Sequence, residues 1–305
     1  MKKIKNRKTL NLLTNPVRFL KPCRIVFGKM CIYTPSVPLA SGFAIFLLTF
    51  IFSNCQEPSK GCLDANATNF DVTATKPCID NCCTYPNLTL QTDYFSNDTG
   101  KVIKFKFDDK FKIGTDSIQI LEAQFYLSDF QLITPDNKIV TTIDSVALYR
   151  QKDTIKTLAN YALVGKNNGF DFKIGSFNQN GKFSKVRFKF GLNDIANQTN
   201  PAKMPTGHPL SIQRDSMYLN SANTYIFNRL VVRKWQGTGA KDTMRFYITK
   251  AKDIEIVKNF SFTEGFDAVI PLRINYLAFF TGVNFSSPTN TIKEQIVSNY
   301  DKVFQ

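Results

Sequence analysis

The strongest constraint on this chain is a period of two in its apolar residues. Ile103, Phe105 and Phe107 alternate with Lys104 and Lys106, and Val186, Phe188 and Phe190 alternate with Arg187 and Lys189. Successive side chains of an extended chain point to opposite faces, so such runs build strands with one buried and one wet face. Further strand-like runs cover Ile118 to Ile133, Ile139 to Tyr149, Phe170 to Ile174, Tyr225 to Trp235, Thr243 to Thr249, Ile254 to Phe262 and Val269 to Asn275. Asn, Asp and Gly turns separate them without an intervening helical pattern. An all-β fold follows, an antiparallel β-sandwich and not a series of strand–helix–strand units. One short C-terminal helix is predicted: Ile292, Ile296, Tyr300 and Val303 recur at helical spacing, with Thr291 and Glu294 placed as a capping box. It is expected to cover an edge or end of the sandwich. With 28 Phe residues and 43% hydrophobic residues the chain can fill one large core and add a small module.

The net charge of +15 is concentrated at the N-terminus. Residues 1–54 hold nine of the 39 Lys and Arg residues and no acid, which leaves 30 basic against 24 acidic residues, or +6, for the remainder. Lys and Arg there alternate with Phe and Val and form no stripe, so a nucleic-acid partner is excluded. Gly42 to Phe52 is an uncharged apolar run of about 11 residues, too short for a membrane-spanning helix. A basic segment, a short apolar run and small residues before a boundary read as a secretory signal. Cys55, preceded by Phe52, Ser53 and Asn54, resembles the acylated cysteine of a bacterial lipoprotein signal. That resemblance implies a lipid anchor at Cys55, a membrane as partner, and a place on the outer membrane or cell surface. The chain then divides into a targeting segment (1–54), a cysteine-rich module and linker (55–87) and a sandwich domain (88–305).

Cys62, Cys78, Cys82 and Cys83 crowd into 22 residues, and no Cys follows. In an exported chain this spacing suggests two disulfides in a module too small to hold a core of its own. Of three possible pairings the favoured one joins Cys62 to Cys83 and Cys78 to Cys82, because a bond between adjacent Cys82 and Cys83 would strain the backbone. A zinc knuckle is the competing reading, opposed by the oxidising compartment. The segment from Gly61-Cys62-Leu63-Asp64 through Asn69-Phe70-Asp71 to Cys83-Thr84-Tyr85 resembles a GC-x-D…C-x-Y motif of exported Bacteroidota proteins. Asp64, Asn66, Asn69 and Asp71 could offer oxygens to calcium; closing Asx-turns is the favoured role for them.

Chemistry is sparsely represented. No G-x-S-x-G elbow, P-loop or glycine-rich dinucleotide turn is present, and Asp108 and Asp109 are adjacent, so on a strand they would face opposite ways. A single histidine, His208, excludes sites built on two imidazoles. The expectation is a protein that is not an enzyme.

Three pieces in order carry a family resemblance. Phe125-Tyr126-Leu127-Ser128-Asp129-Phe130-Gln131-Leu132 is similar to the YLS-x-x-x-L strand of the MbnP-like family, copper-binding β-sandwich proteins associated with methanobactin and common as lipoproteins. Phe188 to Asp194, followed by Asn197, resembles its F-x-F/I-G-L/V-x-D segment and downstream Asn. His208-Pro209-Leu210-Ser211, then Met217-Tyr218 and Tyr225-Ile226-Phe227, resembles its H-P-L-S…M-Y-W…Y-x-F stretch. The resemblance implies copper handling, a di-haem peroxidase-type partner that oxidises a tryptophan, and a polar loop group of Asp194, Asn197, His208 and Tyr218. The chain departs from it where copper would bind. Met217-Tyr218-Leu219-Asn220-Ser221 lacks both tryptophans, the chain's one Trp is Trp235, and Tyr247 stands where a family histidine would. What remains is His208 with Met204 and Met217 as soft ligands suited to Cu(I). Two functions are therefore carried forward: an MbnP-like module for copper handling or partner binding, and a β-sandwich adhesin or glycan-binding lipoprotein that has lost metal binding.

Five triplets, Asp116-Ser117-Ile118, Asp144-Ser145-Val146, Asp153-Thr154-Ile155, Asp215-Ser216-Met217 and Asp242-Thr243-Met244, resemble the O-glycosylation signal of exported Bacteroidota proteins. The resemblance implies sugar on Ser117, Ser145, Thr154, Ser216 and Thr243. Asp-Ser/Thr turns that simply precede strands are the alternative source of the pattern.

Overall fold

The computed structural model describes residues 58–305 apart from 99–100, 108, 214–215 and 237–238. Cys55, the targeting segment 1–54, Asp108 and Asp215 lie outside the described residues. Among the described residues no helix is long and apolar enough to cross a membrane.

Two sheets form the sandwich. In chain order the strands are β1 (Asn87–Asp98), β2 (Lys101–Lys104), β3 (Phe111–Ile113), β4 (Asp116–Ile133), β5 (Ile139–Thr141), β6 (Ser145–Tyr149), β7 (Thr154–Leu158), β8 (Ala162–Gly165), β9 (Asp171–Ser176), β10 (Gly181–Phe190), β11 (Asn228–Gln236), β12 (Gly239–Ile248), β13 (Lys252–Phe262) and β14 (Ala268–Asn275). The larger sheet runs β12-β11-β4-β10-β13, with β3, β5 and β8 also pairing with β4; the smaller runs β9-β1-β14, with β2 beside β1. The β6–β7 hairpin stands apart. Pairing within the two sheets is antiparallel except between β1 and β14, which are parallel from Leu88/Ala268 to Phe95/Asn275.

The alternation in β10 works as expected. Val186, Phe188 and Phe190 enter the core, while Arg187 and Lys189 reach across to Glu255 and Asp253 on β13, at 2.7 and 2.5 Å. Four expectations need correction. The expected Ile103–Phe107 strand ends at Lys104, leaving Ile103 exposed while Phe105 and Phe107 are buried beyond the strand end. The Ile139–Tyr149 run is two strands, broken where the Asp144 carboxylate accepts the Ser176 amide at 2.6 Å. The terminal helix, α2 (Thr289–Ser298), starts directly after Pro288 and has no side-chain cap, so Thr291 and Glu294 form no capping box. Proline has no N–H to lose and a fixed φ, so it suits a helix start. Tyr300 and Val303 follow in a tight 3-10 turn, not in the helix. Lastly, β4 is buried on both faces through its middle, from Ala123 to Ser128, where one wet face was expected.

That double burial divides the interior. Phe125 and Leu127 belong to the main core between the sheets, together with Phe188, Phe190, Tyr276, Phe279, Ile292, Ile296, Tyr300 and Phe304. Tyr126 belongs to a second apolar cluster with Leu148, Leu163, Met204, Leu210, Met217, Tyr225 and Phe227. One residue of offset along an extended strand turns a side chain to the other face, so Tyr126 leaves the sandwich interior and supports whatever covers the sheet from outside.

In the cysteine module, Cys62 is joined to Cys83 and Cys78 to Cys82. The Asp64 carboxylate accepts the Asn66 amide (2.9 Å) and the Tyr85 hydroxyl (2.8 Å), which lowers its pKa. Asn69 Oδ1 accepts the Thr84 amide and Asp71 Oδ1 accepts the Thr73 amide. Asp64 and Asp71 thus close Asx-turns, while Asn69 ties the module across to Thr84 and Cys82.

Candidate functional site

The chain between β10 and β11 folds over the face on which Tyr126 emerges. It carries a one-turn helix α1 (Asp194–Asn197), a 3-10 turn (Pro201–Lys203), the loop around His208 and a short antiparallel pair, Tyr218–Leu219 with Thr224–Tyr225. Carboxamides lock these pieces to the sheet. Asn193 caps α1 by accepting the Ala196 amide at 2.8 Å, and its Nδ2 donates to Asp129 Oδ1 at 2.8 Å. Asp129 has φ 55° and lies where the β4–β10 register shifts, so this bulge aims its carboxylate at the covering loop. Asn197 Oδ1 accepts both the Thr224 hydroxyl (3.0 Å) and the Tyr225 amide (2.9 Å). The Tyr225 hydroxyl donates to the Leu210 carbonyl at 2.6 Å.

The four polar residues implied by the family resemblance all lie in this excursion but do not converge. Asp194 is exposed at the start of α1, Asn197 braces the strand pair, and no hydrogen bond or ion pair among the described residues joins Asp194 to His208. His208 Nδ1 accepts the Leu210 amide at 3.1 Å, the ring meets Tyr161 edge-on at 6.0 Å, and burial pushes its pKa down, so it is neutral at pH 7. Tyr218 is half-buried and packs edge-on against Tyr225, 4.9 Å between centroids. Met204 and Met217 are buried in the second cluster. Among the described residues no group of three or more His, Cys, Asp or Glu side chains is arranged to hold a metal.

What these loops do build is a cleft of about 310 Å³. Tyr126, Met217, Tyr218 and Tyr225 supply its aromatic and apolar lining, and Gln151, Gln198, Asn200, Gln213, Asn220 and Asn223 its polar lining. No charged side chain among the described residues lines it. The Tyr126 hydroxyl is fully buried and has no hydrogen-bond partner, and burial raises the Tyr126 and Tyr225 phenols far above neutrality. A second depression of about 340 Å³ shares Gln151, Gln198 and Asn223 with the first and adds Arg150, Lys152 and Asp153. Arg150 pairs with Asp153 at 2.5 Å and donates to Gln198 Oε1 at 3.1 Å. His208 and Met204 line neither depression.

Tyr126, Met217, Tyr218 and Tyr225 fall inside the family motifs, but no pattern in the sequence assigns a role to the carboxamides that line the cleft. They come from the β6–β7 turn, the residues after α1 and the loop before β11, and no spacing rule links such segments. Of the five hydroxyls in the Asp-Ser/Thr triplets, Ser145, Thr154, Ser216 and Thr243 are exposed and Ser117 is half-buried. Three of the aspartates have structural partners: Asp116 pairs with Lys234 at 3.2 Å, Asp144 holds the Ser176 amide and Asp153 holds Arg150.

The fold and cleft define a β-sandwich protein whose site is built by one long excursion over the outer face of its larger sheet. Residues 85–297 match the sequence model of the MbnP family, and the chain belongs to that family. Among solved structures, MbnP from Methylosinus trichosporium is similar at a TM-score of 0.40 and 13% identity, over 64% of this chain and 77% of that one. No curated protein sequence matches the chain.

Proposed function

We propose that this MbnP-family protein is a non-enzymatic, exported lipoprotein, anchored at Cys55 to the outer membrane or cell surface, that works as a binding module through the Tyr126 cleft. The cleft itself carries the reading. Its lining is phenols and carboxamides, groups that hold a ligand but exchange no proton at neutral pH. Copper handling is the second reading, favoured by His208 lying in the same excursion as Met204 and Met217. Against strong copper binding, Nδ1 of His208 is already engaged and both thioethers sit in an apolar cluster. A di-haem peroxidase-type partner has no tryptophan to modify at Leu219 or Ser221, and Trp235 lies on β11 beneath Lys110 at 4.4 Å.

Two results are expected. Cys55→Ser should move the protein from the membrane to the soluble fraction, because a diacylglyceryl group plus a further acyl chain gives stable anchoring; a variant that stays in membranes with an unchanged N-terminus refutes the anchor. Calorimetric titration with Cu(I) should show only weak binding, abolished in His208→Ala. Tight stoichiometric binding lost in that variant would restore copper handling, and tight binding that survives it would place the metal elsewhere.

A further inference from the structure

The geometry points to a neutral carbohydrate of at least two sugar rings as the ligand of the Tyr126 cleft, an assignment that rests on the binding-module reading above. Three observations support it. First, the two depressions share Gln151, Gln198 and Asn223, so one elongated ligand can occupy both. The first alone lies at the lower end of the roughly 300–1,000 Å³ range of small-molecule sites.

Second, the polar groups match hydroxyl chemistry. Each carboxamide presents a donor and an acceptor, which is what a sugar hydroxyl, itself both donor and acceptor, can satisfy. The side chains of Gln151, Asn220 and Asn223 are exposed and make no hydrogen bond within the described structure. The described lining of the first chamber presents carboxamides and hydroxyls and no charged side chain, a set that suits a neutral polar ligand. In the second chamber the Arg150–Asp153 pair is internally neutralised, which leaves the exposed Lys152 as its one unpaired charge among the described residues. Tyr218, half-buried at the cleft, offers a ring against which the apolar face of a sugar can lie.

Third, a cleft-lining residue, Tyr126, carries a fully buried hydroxyl that the protein itself leaves unpartnered, although a buried hydroxyl costs free energy when unpaired. Phenylalanine would fill the same space among Tyr225, Leu163 and Phe227 without that cost. A ligand oxygen reaching the cleft floor would satisfy the group, and a ligand without one would be rejected.

The test uses the full-length protein purified in detergent, titrated calorimetrically with maltose, cellobiose, lactose and chitobiose to millimolar concentration. Saturable binding of at least one disaccharide is expected, weakened about tenfold by Tyr126→Phe and by Gln151→Ala. Neither substitution should lower the melting temperature, since neither side chain makes a hydrogen bond in the fold. No binding by any of the four, or binding that both variants retain unchanged, overturns the carbohydrate assignment and leaves the binding-module reading standing. Release of monosaccharides during the titration would instead overturn the non-enzymatic reading while upholding the sugar site.

Discussion

A chain ending at Asn299 is expected not to fold. Of residues 300–305, Tyr300 and Val303 are fully buried and Phe304 nearly so. Tyr300 stacks on Phe190 with 3.9 Å between ring centroids, and its hydroxyl accepts from Asn228 Nδ2 at 3.3 Å. Phe304 meets Phe188 edge-on at 5.2 Å and Phe125 at 6.0 Å. The backbone adds a further edge to β14: the Arg273 amide donates to the Gln305 carbonyl and the Gln305 amide to the Arg273 carbonyl, both at 3.0 Å. Burial of each large apolar side chain is worth about 1.5–3 kcal/mol, so losing three costs about 5–9 kcal/mol. That is comparable to the whole stability of an ordinary domain, about 5–15 kcal/mol. Loss of near-ultraviolet circular dichroism and rapid proteolysis are the expected signs. A truncated protein that melts cooperatively within a few degrees of the parent would show that the packing of residues 300–305 against Phe190 is not needed.

Gly191→Ala is expected to lower the melting temperature by about 5–20 °C. Gly191 has φ +106°, a conformation that side chains other than hydrogen rarely adopt, and a Cβ placed there would meet Phe227 Cδ2 at 2.9 Å and Ala251 Cβ at 3.0 Å. Backbone strain of this kind costs roughly 1–3 kcal/mol, and overpacking roughly another 1–3 kcal/mol. The residue cannot easily move away. Its amide donates to the Tyr126 carbonyl at 2.8 Å and its carbonyl accepts the Ser128 hydroxyl at 2.9 Å. Gly191 therefore marks the point where the chain leaves β10 for the excursion that makes the cleft. A thermal melt indistinguishable from the parent would contradict the close approach of Phe227 and Ala251.

Much of the sandwich could be read from residue types. The alternation of β10 and β13, the length of β4 and the buried set Ile292, Ile296, Tyr300 and Val303 all follow from where apolar residues recur. β1 is missing from the strand-like runs although Leu88, Leu90, Thr92 and Tyr94 alternate inward, because its inward set includes the polar Thr92 and the stretch ends in the polar Ser96-Asn97-Asp98. The wet face expected of β4 was wrong for a tertiary reason. Its neighbour in space, the 191–227 excursion, is distant in sequence and supplies the second cluster. The cleft shares that cause: a tyrosine in a motif is visible in sequence, but the partnerless state of its hydroxyl depends on which carboxamides the loops bring near it. Asp129 shows the same limit, since nothing in Ser128-Asp129-Phe130 announces a positive φ.

The parallel pairing of β1 with β14 sets the order in which the molecule can be finished. Along Leu88 to Phe95, one edge of the first strand stays open until Ala268 and its successors arrive, and the Asn87 amide likewise waits for Asp267, 180 residues downstream. At about 5–20 residues per second during synthesis, that interval is on the order of ten to forty seconds. Pairings between such distant parts of a chain form slowly, so the smaller sheet can close only after nearly the whole polypeptide has been made. A chain with this wiring keeps an edge of its first strand unpaired until its last strand has been made.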